Sequence, residues 1–219
     1  MSAIRHSLTR AASALALVAT IAGAGHTQTI GGGLQYAFAT YAEQGASLRF
    51  AGGGPSGHVS LGWRRFGLTV GAARFAFDPS HAAAEPFDMT HSEVRLRVRA
   101  TRLVSLEAGF VQRDVEPAYA AQSVAAMRVG ALVAFPLHIG SDVAVRAGYL
   151  GGSRFSGGGS APFGVEVGLG VTYAPWVERL RVTGDLEFQR FDRRVDGVAG
   201  KLTAPIQSTT ARIGVLLSY

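Results

Sequence analysis

Between Glu93 and Ala100 the chain alternates without a break. Val94, Leu96, Val98 and Ala100 hold one parity, and Glu93, Arg95, Arg97 and Arg99 hold the other. Successive side chains of a β-strand point to opposite faces, whereas a helix of 3.6 residues per turn would mix the two sets. The segment is therefore a strand with one apolar face and one ionic face. An arginine turned toward hydrocarbon at mid-bilayer depth costs about 2–4 kcal/mol, so three in register fix which face avoids it.

The same period of two recurs along the chain. Leu34, Tyr36 and Phe38 oppose Gln35, Ala37 and Ala39; Val59, Leu61 and Trp63 oppose His58, Ser60 and Arg64; Leu68, Val70 and Ala72 oppose Thr69, Gly71 and Ala73. Further runs follow at Val104–Phe110, Ala125–Phe135, Val143–Tyr149, Phe163–Tyr173, Leu180–Phe188 and Ala211–Tyr219. With Glu93–Ala100 these make ten candidate strands. Long polar or glycine-rich connections (Tyr41–Gly57, Asp78–Asp88, Asp114–Gln122, Ser153–Ser160, Arg190–Gln207) alternate with short turns. That rhythm predicts an all-β, closed, antiparallel up-and-down transmembrane β-barrel, with eight strands as the alternative count. The third strand breaks phase at its end: continued alternation puts Arg74 outside and Phe75 and Phe77 inside, which calls for a bulge or an interfacial Arg74.

The 219 residues suit one small barrel. The one long apolar run, Ala11–Gly25, is shorter than the roughly 20 residues of a spanning helix. With Arg5 and Arg10 before it and Ala22-Gly23-Ala24 at its end, residues 1–24 read as a signal peptide, leaving 25–219 as the barrel domain. No cysteine is present, which removes disulfides and thiolate metal sites. The formal charge of +6 falls to +4 with the leader removed. Lys201 is the one lysine, so the basic side chains are guanidinium forks suited to carboxylates and phosphates. Nucleic acid is not expected as a partner of an exported chain.

The C-terminal segment steps by twos from Ala211 through Ile213, Val215 and Leu217 to a terminal Tyr219. It resembles the closing strand of bacterial outer-membrane β-barrels, which the barrel-assembly machinery reads, and the whole is similar to the OmpA-like, OmpX-like and opacity-type barrel group. The resemblance implies an outer-membrane location, both termini in the periplasm, outer-membrane lipid and lipopolysaccharide as surroundings, a monomer and no cofactor. A soluble lipocalin-like barrel is the alternative, with the apolar face turned inward. Aromatic placement favours the membrane. Trp63, Phe66, Phe135, Tyr173, Trp176 and Tyr219 fall at one end, with Phe110, Tyr149, Phe163 and Phe188 at the other, as two girdles.

The inward parity collects Glu93, Arg95, Arg97, Arg99, Glu107, Arg128, Arg146, Glu166, Arg181, Asp185, Glu187 and Arg212. Hairpin arithmetic sets Glu107 against Arg97 or Arg95, Arg146 near Glu166, and Arg212 near Glu187 or Asp185. The expectation is a lumen ion-pair network in a largely filled barrel, hence a structural or surface-interaction role. A narrow anion-preferring channel is the alternative, helped by inward glycines such as Gly130, Gly148, Gly168, Gly170 and Gly214. A third reading starts from His58-Val59-Ser60, which is similar to the His and Ser of outer-membrane lipid A deacylases. Both residues turn inward here, away from a lipid ester, and an orienting acid is lacking. His91-Ser92-Glu93 cannot converge on a straight strand, and His81, Glu85, Asp88 and His91 lack fixed metal-ligand spacing. The last connection carries Arg190, Arg193, Arg194 and Lys201, suited to lipopolysaccharide phosphates.

Overall fold

The computed structural model describes residues 28–44, 48–80, 84–138, 140–177, 179–197 and 200–219. The expected leader lies outside the described residues. Ten strands run in chain order: β1 Gln28–Glu43, β2 Leu48–Trp63, β3 Phe66–Pro79, β4 Phe87–Arg99, β5 Val104–Glu116, β6 Val124–His138, β7 Ser141–Phe155, β8 Gly164–Val177, β9 Leu180–Gly197 and β10 Gly200–Ser218. Each pairs antiparallel with its neighbours in sequence, and β1 pairs with β10 to close the barrel. The seam ends in two reciprocal backbone bonds, Ile30 N–H to Tyr219 O at 3.0 Å and Tyr219 N–H to Ile30 O at 2.8 Å. Closure leaves no strand edge to be satisfied by water, a requirement in hydrocarbon.

The polarity is inverted relative to a soluble barrel. Leu34 is 75% exposed, Val129 63% and Ile213 60%, while Arg128, Glu166 and Glu187 are buried inside. The lipocalin-like alternative demands the opposite arrangement, so the fold is that of a transmembrane barrel. Trp63, Phe66, Phe135, Tyr173 and Tyr219 lie exposed at the end that carries the termini, and Arg179 sits 5.4 Å over the Tyr219 ring. The Trp176 side chain lies outside the described residues. Phe110, Tyr149 and Phe163 are exposed toward the opposite end, while Phe188 is only half-exposed.

Two segments expected as loops are strand. Most of Tyr41–Gly57 belongs to β1 and β2, despite Gly52-Gly53-Gly54-Pro55. A β-carbon at Gly54 would collide with the Arg74 carbonyl oxygen, so the missing side chain is what lets β2 and β3 approach and bend there. The β2–β3 ladder skips Gly54 and Pro55, where proline has no N–H to give. Likewise Arg190–Gln207 extends the β9–β10 hairpin rather than forming the longest loop. β9 has 18 residues and β10 has 19, against the 9–11 that cross a bilayer, so this hairpin projects beyond the hydrocarbon at the end opposite the termini.

β3 needs no bulge. Arg74 points outward and donates to Asp88 Oδ2 at 2.8 Å, while Phe75 and Phe77 point in, so the alternation continues unbroken. Register shifts occur instead between β6 and β7, at Ala125/Met127 and Pro136/His138, and between β8 and β9 at Tyr173/Val177; beyond the first of them Gly151, Ser153 and Phe155 take the buried positions.

Candidate functional site

The lumen is built in three layers, two of them ionic and made of the inward-parity residues. Near mid-barrel, Arg95 on β4 meets three carboxylates: Glu93 at 2.7 Å, Glu187 at 3.4 Å and Glu166 at 3.7 Å. Arg128 on β6 bridges Glu93, at 2.8 Å, and Glu166. Arg212 on β10 reaches Glu187 at 3.1 Å, and Gln189 ties Glu166, at 2.8 Å, to Glu187. Three guanidiniums thus face three carboxylates in a closed, hydrogen-bonded net. Such a net offsets part of the several kcal/mol that each buried charge costs.

Toward the termini a second group forms. Glu107 accepts from Arg97 Nε at 3.0 Å and from Arg146 Nε at 2.6 Å. Arg97 and Glu107 are directly opposed across the short β4–β5 turn. Arg146 opposes Gly168 on β8, yet its partner is Glu107 rather than the Glu166 expected from the hairpin. The reason is the intervening strand: Glu107 opposes Gly130, and Gly130 opposes Gly148, so no β6 side chain stands between β5 and β7. Gly109 on β5 similarly separates Arg95 from Arg128 and leaves room for Arg128 to reach Glu93.

Some predicted members stand apart from the net. Arg99 is exposed at the barrel end and forms no ion pair among the described residues. Arg181 lies 3.7 Å from Asp142, both about two-fifths exposed. Asp185 opposes Arg212 in register but accepts instead from Gln35 Nε2 at 2.9 Å.

The layer farthest from the termini is apolar and lies beyond the inward charges that the sequence places in the lumen. Tyr41, Phe50, Phe75, Phe77, Phe87 and Met89 from β1 to β4 pack with Val111, Val115, Val124, Phe155, Phe191 and Ile206. Phe77 and Phe87 stack at 4.8 Å, and Tyr119, just before the short helical turn Ala120–Gln122, packs on Phe50 and Phe87. Tyr41 donates to Gln122, and Gln122 to Glu43, fixing this turn over the barrel mouth. Arg113 closes the boundary between layers, donating to Gln189 and to Ser208 Oγ at 2.7 Å beneath the Phe191 ring. Sequence reasoning places Gln189 on the inward parity with Glu187 but omits Arg113, although strict continuation of the Glu107 parity places it inside too.

On the terminus side of the ionic net lies a cavity of about 330 Å³. His58, Ser60, His91, Arg97, Arg146 and Asp185 are among its walls. His58 and Ser60 share the strand face, as their parity requires, but no carboxylate is hydrogen-bonded to His58 among the described residues. His91 faces this lumen while Asp88 pairs with Arg74 outside, so the two do not converge; His81 lies outside the described residues. In the β9–β10 hairpin Arg193 turns inward, 4.8 Å over Phe155, and donates to Gly158 O at 2.8 Å. It is thus withdrawn from the surface, whereas Arg194 is exposed and Arg190 pairs with Asp192 at 2.8 Å.

No protein-family profile and no curated protein matches the sequence. Solved barrels resemble it in fold. The translocator domain of the autotransporter NalP from Neisseria meningitidis is 16% identical, over 99% of this chain and 97% of its own, with a TM-score of 0.44. An outer-membrane channel from Pseudomonas putida F1 is 10% identical over 90% and 97%, with a TM-score of 0.46. The attachment invasion locus protein Ail of Yersinia pestis is 12% identical over 89% and 100%, with a TM-score of 0.36.

Proposed function

We propose that the chain is a non-conducting integral outer-membrane β-barrel with its termini in the periplasm, serving a structural or surface-interaction role through the opposite, projecting end. The observation that carries this reading is the apolar layer: the lumen closes on packed aromatic rings rather than on a polar constriction that ions could cross. The projecting β9–β10 hairpin, with Leu202 63% exposed, offers surface at that end. Outward-facing Arg49, Arg74, Arg154 and Arg194 lie near the same rim, at a height where bidentate contact with lipopolysaccharide phosphates is geometrically natural. The outward alternation from Ala211 to Tyr219 would serve as the recognition strand for the barrel-assembly machinery.

Planar-bilayer recording of the purified protein is the test of closure. The expected trace shows no unitary openings; stable openings with anion preference would instead establish the channel reading. Sidedness is read separately with Leu202→Cys, the single thiol in a cysteine-free chain. A membrane-impermeant maleimide is expected to label it on intact cells, and labelling only after the envelope is broken would invert the orientation.

A further inference from the structure

We infer that the terminus-side cavity is a binding site for a small organic monoanion with an apolar body, its negative group held between the guanidinium ends of Arg97 and Arg146. Both arginines line the cavity, and both spend their Nε–H on the same carboxylate, Glu107. Among the described residues neither has a hydrogen bond through its terminal nitrogens, so those donors are left for another partner. Bidentate capture of a carboxylate or phosphate is what guanidinium forks do well.

The charge balance locates the excess. Glu93, Glu166 and Glu187 are matched one for one in number by Arg95, Arg128 and Arg212, whereas the single Glu107 balances both Arg97 and Arg146. One positive charge is left over on that wall. Asp185, which also lines the cavity and is held by Gln35, offsets that charge in the sum, so the anion is confined to the Arg97 and Arg146 side and a second negative charge in the ligand is disfavoured.

His91 stands six residues from Arg97 along β4, about 20 Å at the rise of a strand, and lies outside the anion site. His91, only 5% exposed, lines the cavity with its Nε2 lacking any hydrogen bond, its nearest carboxylate oxygen 3.8 Å away at Glu93. Its unmatched Nε2 is accompanied by the unmatched Nε atoms of Arg95, Arg113, Arg128, Arg181 and Arg193, so it marks no particular ligand. Beside Arg146 the wall turns apolar: Leu132 opposes it directly, and Ala134 and Ala144 oppose each other one step nearer the termini. A volume of about 330 Å³ admits a small aromatic or branched acid.

The test uses the full-length barrel in an uncharged detergent, with benzoate as probe, followed by calorimetry and by NMR of 13C-labelled arginine Cζ. Benzoate is expected to bind saturably, to shift the Arg97 and Arg146 resonances, and to bind more tightly than acetate. Uncharged benzamide is expected not to bind. R97Q and R146Q should each weaken benzoate by about tenfold, the loss of one charged hydrogen-bond pair, and R97K should fall between wild type and R97Q. Circular dichroism establishes that each variant is folded. The inference is overturned if benzoate does not saturate, if benzamide or acetate binds as well as benzoate, or if the R97Q/R146Q double variant binds like wild type. Each readout is independent of conductance, so the site stands or falls apart from the closure of the barrel.

Discussion

Arg95→Leu is expected to destabilise the barrel by about 3–5 kcal/mol, the range for removing one partner of a buried ionic group. Its guanidinium is shared by Glu93, Glu166 and Glu187, all buried or nearly so. Without it three carboxylates are left to two arginines, Arg128 and Arg212. The remaining negative charge must protonate or force the net apart. Urea unfolding in lipid vesicles reads the change as a lowered midpoint at constant slope. Adding Glu187→Leu removes one of the excess carboxylates, so the double variant should recover part of the loss. A double variant whose loss equals the sum of two large single losses would mean that the charges are not coupled.

Phe77→Ala should cost a similar amount, about 3–5 kcal/mol, for a different reason. Phe77 is 1% exposed, stacks on Phe87 at 4.8 Å and contacts Tyr41 edge-on at 6.2 Å. Truncation removes the transfer energy of the ring and leaves a void that strands hydrogen-bonded on both sides cannot close. Phe77→Leu, which conserves most of the volume, should cost about 1 kcal/mol. The same urea assay applies, and near-equal losses for the two variants would show that the layer is loosely packed.

What the sequence reveals about this barrel depends on how far an alternation extends. The Arg97–Glu107 contact is legible because a short turn fixes the β4–β5 register. Arg146 is not, because its partner lies two strands away, and only the inward glycine at position 130 makes the reach available. Those inward glycines look from the sequence like room for a pore. In the structure Gly109 and Gly130 are spacers beneath bridging side chains.

The apolar layer escapes for a related reason. Phe75, Phe77, Phe87, Phe155 and Phe191 sit at strand ends, where charged outward neighbours such as Arg74 and Asp192 reverse the usual polarity and imitate a loop. Above the hydrocarbon the outer face is wet, and the inside becomes the only dry place. The same reversal explains why Arg190–Gln207 reads as a connection. Its mixed charges mask an alternation that puts Phe191, Arg193, Ile206 and Ser208 inside.

The central claim is a barrel with hydrocarbon outside and an ionic interior that grades into an apolar seal. A single-cysteine scan with a polarity-sensitive fluorophore and a lipid-borne quencher tests it most directly, because the native chain has no thiol to interfere. Fluorophores at Leu34, Val129, Val167 and Ile213 are expected to be quenched by the acyl chains, and those at Gln35, Ser60 and Thr183 to be spared. Quenching of the second set with sparing of the first would turn the barrel inside out and contradict the account.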